Sequence, residues 1–252
     1  LPGDADKDVK SSAFVDLDSD GYPDVIVSKF AGGLRAFRNP GRDVGVFEET
    51  TKEVGLATEN FGLDGSGFFA PGDWNDDGRI DLYYGADGGW LLIQQDNKTF
   101  VPLGGGPLGM DLSSNAPETG MTGSGAMAPV WRADTPSLLA PMEASYVFIA
   151  RSRGRLANVI TATNELENEP AESQLCVLCE DFNADGNVDV FTGTLSGPCN
   201  YHTNRGYGSF MRSGKYSPDA FPEAFSNGAW GLAAGDVNND GANELLMGSA
   251  NG

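Results

Sequence analysis

The chain has 252 residues, 40% of them hydrophobic, with 36 acidic against 16 basic side chains and a net charge of −20. That balance argues against nucleic acid or an anionic membrane surface as partner, because both would be repelled. No apolar run approaches the roughly 18–20 residues of a membrane span. The opening Leu1-Pro2-Gly3-Asp4-Ala5-Asp6 does not read as a signal peptide, so any targeting segment is expected to be removed or to lie outside this sequence.

In chain order, the first distinctive run is Asp16-Leu17-Asp18-Ser19-Asp20-Gly21-Tyr22-Pro23-Asp24. It places oxygen-bearing side chains at positions 1, 3 and 5, glycine at 6 and a carboxylate at 9. The register returns in Asp73-Trp74-Asn75-Asp76-Asp77-Gly78-Arg79-Ile80-Asp81, in Asp181-Phe182-Asn183-Ala184-Asp185-Gly186-Asn187-Val188-Asp189 and in Asp236-Val237-Asn238-Asn239-Asp240-Gly241-Ala242-Asn243-Glu244. Alternate residues of a tight turn can aim their oxygens inward, and Ca²⁺ takes roughly 6–8 such hard ligands. Glycine at 6 permits the left-handed backbone that closes the turn. Position 7 would contribute only its carbonyl, which suits the unrelated side chains of Tyr22, Arg79, Asn187 and Ala242. One such run is readily an Asp/Asn/Gly surface turn; four in one register point to about four Ca²⁺ sites.

An EF-hand would need a bidentate Glu at position 12 and flanking helices. Position 12 is Val27, Tyr84, Thr192 and Met247, and each loop leads into a short apolar run that reads as a buried strand. The EF-hand is therefore rejected. Thirteen carboxylates stand at candidate ligand positions, so four bound divalent cations would bring −20 to −12.

The loops begin at 16, 73, 181 and 236, so the wide middle gap spans two periods and predicts a further copy near residue 130. Ser66-Gly67-Phe68-Phe69-Ala70-Pro71 aligns with Ser124-Gly125-Ala126-Met127-Ala128-Pro129, which sets Trp131 where Asp73 stands, Ala133 for Asn75, Thr135 for Asp77 and Leu139 for Asp81. That third loop, 131–139, is expected to bind no cation and to be held by packing of Trp131, Pro136 and Leu138.

After each loop a third strand is expected at Leu34–Arg38, Trp90–Gln94, Tyr146–Ala150 and Asn200–Thr203, and a fourth opens near Phe47, Phe100, Leu156 and Phe210. The repeating unit is strand, loop, strand, strand, strand. Units fall at about 11–58, 66–115, 124–165, 174–215 and 229–252, within a single region 1–252. Four-stranded units of this period predict an all-β fold, a β-propeller of about four and a half blades. The last unit stops after two strands, which predicts an incomplete ring or a fragment. Its open edge would then be met by further blades of the same protein or by another copy, giving a homo-oligomer or a head-to-tail filament.

Asp73 to Ala86 resembles the FG-GAP (VCBS-type) repeat, related to the propeller repeats of integrin α-subunits. Leu34 to Asn39, with Phe47-Glu48-Glu49-Thr50-Thr51-Lys52-Glu53-Val54-Gly55-Leu56, is similar to the secreted cartilage-acidic-protein branch. The resemblance implies a calcium-stabilised propeller, usually extracellular, secreted or on the cell surface, acting in adhesion or matrix assembly. By motif match it makes ligands of Asp16, Asp18, Asp20 and Asp24 and of their counterparts in the second, fourth and fifth loops.

Other features carry less. No nucleophile elbow, Walker loop or dinucleotide fingerprint is present, and the chain reads as a non-enzyme; polysaccharide-active propellers keep that alternative open only by analogy of fold. A carbohydrate-binding propeller is the stronger alternative, with Trp74, Trp90, Trp131 and Trp230 as stacking candidates. Trp90 and Trp230 fall in strand patterns and are expected in the core, which leaves Trp131, beside Arg132, as the candidate for exposure. His202 is expected to face outward or an interface. Cys176 and Cys179 cannot bridge each other across one strand; a Cys176–Cys199 bridge and free thiols both remain open. Asn97-Lys98-Thr99 is a glycosylation sequon on an expected surface turn. Arg151, Arg153 and Arg155 form the one basic cluster.

Overall fold

The computed structural model describes residues 9–29, 33–41, 45–57, 68–84, 90–103, 126–132, 135–141, 146–152, 155–158, 174–194, 199–206, 209–212 and 228–248; of residues 126–158 it describes the backbone alone. The chain forms two compact units, Leu1–Gly120 and Met121–Gly252.

The first unit holds two four-stranded antiparallel sheets. β1 (Val9–Val15), β2 (Asp24–Lys29), β3 (Leu34–Arg38) and β4 (Glu48–Glu49) pair in sequence order, as do β5 (Phe69–Gly72), β6 (Asp81–Tyr84), β7 (Trp90–Gln94) and β8 (Phe100–Pro102). The second unit holds β9 (Ala126–Arg132), β10 (Thr135–Pro141), β11 (Tyr146–Ser152) and β12 (Arg155–Asn158) in one sheet. A second sheet takes β13 (Gln174–Glu180), β14 (Asp189–Thr194), β15 (Asn200–Asn204) and β16 (Phe210–Arg212). A two-stranded sheet of β17 (Gly231–Gly235) and β18 (Glu244–Gly248) follows. The described residues contain no helix, so the chain is all-β. Each complete sheet is an up-and-down meander, the strand order of a propeller blade, and the expected third and fourth strands stand where the sequence placed them.

The second strand of each complete sheet explains why these sequences pair. After the opening Asp, Asp24-Val25-Ile26-Val27, Asp81-Leu82-Tyr83-Tyr84 and Asp189-Val190-Phe191-Thr192 are β-branched or aromatic apart from Leu82 and nearly all buried, as central strands covered on both faces must be. In the first unit Ile26, Leu34 and Ala36 of one sheet form a single core with Phe69, Leu82, Tyr84, Leu92 and Phe100 of the other. The connection after β4 contributes too. The Thr51 hydroxyl and the Thr50 N–H extend the sheet onto Ala36, and the turn that ends at Gly55 (φ +76°) delivers Leu56 into that core. The Phe100 N–H donates to the Val54 carbonyl at 2.9 Å, tying β8 to the same turn.

In the second unit, Phe182 packs edge to face on Phe191 and Tyr201, which are tilted against each other, with centroids 6.0–6.5 Å apart. Contact between β14 and the residues leading into β17 depends on a glycine. A Cβ at Gly193 would lie 2.5 Å from Cys176 Sγ and 2.7 Å from the Ala229 carbonyl oxygen, and the Ala229 N–H donates to the Thr194 carbonyl at 2.9 Å. We expect Gly193→Ala to lower stability by about 1–3 kcal/mol through overpacking, read as a lower urea midpoint at constant m-value; an unchanged midpoint would show that this approach is not tight.

Candidate metal centre

The four acidic loops share one backbone geometry. The position-1 carboxylates of Asp16, Asp73, Asp181 and Asp236 accept from the position-5 N–H at 3.0–3.1 Å and from the glycine N–H at 2.7–2.9 Å. The position-5 carboxylates of Asp20, Asp77, Asp185 and Asp240 accept from the N–H of Tyr22, Arg79, Asn187 and Ala242 at 2.8–2.9 Å. Gly21, Gly78, Gly186 and Gly241 sit at φ +81° to +89°, the left-handed region expected of them. Position 4 is left-handed as well, with Ser19, Asp76, Ala184 and Asn239 at φ +56° to +62°. Sequence reading did not foresee that second turn, although Ser, Asp and Asn at position 4 in three of the four loops are its signal.

The position-9 carboxylate anchors the loop from below. Asp24, Asp81 and Asp189 are buried and open β2, β6 and β14; Glu244 opens β18 half-buried. One oxygen of each buried Asp accepts the N–H at the end of the third strand, from Asn39 at 2.7 Å, Gln94 at 2.8 Å and Asn204 at 2.8 Å. In the first two loops the other oxygen accepts the position-2 N–H, Leu17 at 2.9 Å and Trp74 at 3.0 Å. Glu244 does the same with Val237 at 2.8 Å. In the fourth loop the Tyr201 hydroxyl donates to Asp189 Oδ2 instead.

Burial raises the pKa of all three buried carboxyls, with their backbone hydrogen bonds opposing and the other loop carboxylates adding. Asp81 is pushed up to about 6. Asp185 and Asp240, which are exposed, move the other way because the N–H groups of Asn187 and Ala242 stabilise the anions.

Whether these side chains suit a hard cation is clearest in the first loop. Asp16, Asp18 and Asp24 each offer an oxygen, all within 4.8 Å of one another. Asp18 Oδ1 is buried and accepts no hydrogen bond among the described residues. Asp18 Oδ2 meets Arg38 Nε at 2.9 Å, and Arg38 Nη2 lies 3.6 Å from Asp20. A buried carboxylate oxygen without a donor is unfavourable alone and chemically suited to a divalent cation. In the other loops Asn75, Asn183 and Asn238 replace the second Asp, and each donates Nδ2 to the position-5 carboxylate at 2.7–3.0 Å. Arg79 adds its guanidinium to Asp77 and to Asp96, the latter at 3.0 Å. These loops keep the donor set but satisfy part of it internally.

The other singled-out residues fall as follows. The run aligned with the third loop is a hairpin: Arg132 in β9 pairs with Thr135 in β10, so strand backbone replaces most of the nine-residue turn. The side chains of Trp131, Pro136, Leu138 and Arg151 to Arg155 lie outside the described residues. Trp74 is buried, and Trp90 packs against the first core. Trp230 overturns its expected place in the core, being 58% exposed at the head of the two-stranded sheet. Of the two expected positions of His202, outward or at an interface, the outward one is excluded, because the ring is fully buried on a strand paired on both sides. None of the three cysteines forms a disulfide. Cys176 lies opposite Gly193 on β14, and Cys199 immediately precedes β15. Burial pushes the Cys176 and Cys179 thiols up to about 12. Asn97 is exposed in the β7–β8 turn and accepts from the Thr99 hydroxyl at 2.7 Å.

Four-stranded meanders, three of them with an Asp-rich turn between the first two strands, define a repeat protein of propeller-blade type. The FG-GAP-like repeat matches residues 16–84 and 181–247, more than half of the chain, and the chain belongs to that family. The two matched stretches hold the first and second loops and the fourth and fifth, and omit the third repeat. No curated protein matches the chain.

Asp81 generates a pH prediction. Its folded-state pKa of about 6 stands above the ordinary 3.8, so the native chain binds the proton more tightly and stability falls as pH rises from about 4 to 6. In excess chelator, the stability of the parent chain relative to Asp81→Asn should therefore decline across that window, measured as paired urea midpoints. A constant difference would show that burial does not raise this carboxyl.

Proposed function

We propose that the chain is a calcium-binding structural or adhesive module of the extracellular space, built from FG-GAP-like propeller blades and without catalytic activity. The observation that carries this reading is the first loop, where three carboxylate oxygens converge within 4.8 Å and a buried Asp18 oxygen has no donor. Asp16, Asp18, Asp20 and Asp24 would hold the first cation, with the Tyr22 carbonyl. Asp73, Asn75, Asp77, Asp81 and the Arg79 carbonyl would hold the second; Asp181, Asn183, Asp185, Asp189 and the Asn187 carbonyl the next. Asp236, Asn238, Asp240, Glu244 and the Ala242 carbonyl would hold the last. The hairpin at 131–139 would hold none. A bound cation supplies charge neutralisation, which relieves the repulsion among stacked carboxylates.

Cation binding to the folded state alone adds RT ln(1 + [L]/Kd), about 2.7 kcal/mol per site at 100-fold Kd. We expect the thermal midpoint in millimolar calcium to lie well above that in excess chelator. Equal midpoints would overturn the calcium reading.

An extracellular location accords with the acidic surface and the exposed Asn97 sequon, which would carry a glycan where the source glycosylates. Among the described residues no helix is long and apolar enough to cross a membrane.

A carbohydrate-binding module is the second reading, favoured by the 58% exposure of Trp230 at the end of the two-stranded sheet remote from its acidic loop. A glycan array with and without calcium separates the two, and saturable binding lost on Trp230→Ala would favour the lectin. We also propose that the β18 edge accepts strands from further blades or from another copy. Leu246 is 50% exposed, whereas its counterparts Ile26, Tyr83 and Phe191 are 0–4% exposed. Sedimentation of the chain and of Leu246→Lys across a concentration series tests the second-copy form. Association weakened by the lysine supports it, and a monomer throughout sinks it.

A further inference from the structure

Gln94 stands at the end of β7, in the place that Asn39 and Asn204 occupy in their own sheets, since all three donate their backbone N–H to the position-9 carboxylate. The asparagines turn back on their own loops. Asn39 Nδ2 donates to the Pro23 carbonyl at 3.2 Å and Asn204 Nδ2 to the Val188 carbonyl at 2.9 Å, the position-8 carbonyl in both cases. Their amide oxygens accept the N–H of Gly41 and Gly206.

Gln94 is one methylene longer and reaches elsewhere. Its Nε2 donates at 2.7 Å to the Leu17 carbonyl, 77 residues away in the first loop. Leu17 lies between Asp16 and Asp18, and its own N–H holds Asp24. The Gln94 N–H meanwhile holds Asp81, and the Gln94 carbonyl accepts Arg79 Nε at 3.1 Å. One buried residue thus touches positions 7 and 9 of the second loop and position 2 of the first. Gln94 Oε1 is buried without a hydrogen-bond partner among the described residues. The side chain is therefore not placed to satisfy its own amide, as the asparagines are.

We infer that Gln94 is a positioning residue that couples the first and second cation loops, so that filling one tightens the other. The inference rests on the calcium reading above. Closing the second loop around a cation fixes Asp81 and Arg79, hence the Gln94 backbone, hence the Leu17 carbonyl between two ligands of the first loop. The first cation then binds a segment already ordered, which is positive coupling. By linkage the effect is reciprocal.

The test is a calcium titration of the whole chain followed by amide NMR, with Gly21 reporting the first loop and Gly78 the second. Asp77→Asn disables the second loop while keeping the oxygen that accepts the Arg79 N–H. In the parent chain we expect Asp77→Asn to raise the calcium midpoint at Gly21 by about fivefold or more, the lower end of ordinary coupling. With Gln94→Asn, the residue this chain itself uses at 39 and 204, the same change should move the Gly21 midpoint less than twofold. Gln94→Met, which keeps length without the donor, should behave like Gln94→Asn and guards against a folding defect in either. A Gly21 midpoint indifferent to Asp77→Asn in the parent, or equally sensitive in all three backgrounds, overturns the coupling and leaves the calcium reading standing. Absence of any calcium-dependent shift at either glycine overturns both.

Discussion

A carboxylate at the ninth position of each acidic loop, buried in three of the four, is the constraint that organises the repeat. Asp24, Asp81 and Asp189 begin the most deeply buried strand of their sheets, yet each faces the acidic turn above it. Its two oxygens clamp the end of the third strand and, in the first two loops, the entry into the turn. One side chain thereby fixes three chain segments that are separate in sequence. Burying an anion is unfavourable unless donors meet it, and the raised carboxyl pKa values record what backbone donors leave uncompensated.

From that anchor the rest of the unit follows. The turn must fold back in nine residues, which demands left-handed backbone at positions 4 and 6 and so selects small or Asx residues there. The apolar residue at position 2 is carried inward, where Leu17 and Trp74 seal the first unit beside β2 and β6. In the fifth loop the same position places Val237 69% exposed, because β17 and β18 carry no further strands among the described residues. Identical local geometry therefore has different packing consequences, depending on what covers it.

The third repeat shows what happens when the anchor is lost. With Leu139 in place of the ninth carboxylate and Trp131 in place of the first, no acidic turn forms, and the strands on either side extend until they meet in a short hairpin. The four-stranded order survives. The meander is thus the more general property of the repeat, and the acidic turn is an addition to it.

The sequence alone determined the period, the strand order and the four turns, because each rests on residues within about nine positions of one another: Asp at 1, glycine at 6 and an apolar run behind a carboxylate at 9. Local rules fix such features whatever surrounds them. Tertiary structure alone decided the rest. The reach of Gln94 to Leu17, the Tyr201 hydroxyl on Asp189, the burial of His202 and the exposure of Trp230 depend on which strands lie beside each residue. A glutamine and an asparagine at equivalent positions look interchangeable in sequence. Only the neighbouring sheet, close enough for one extra methylene to matter, makes them different.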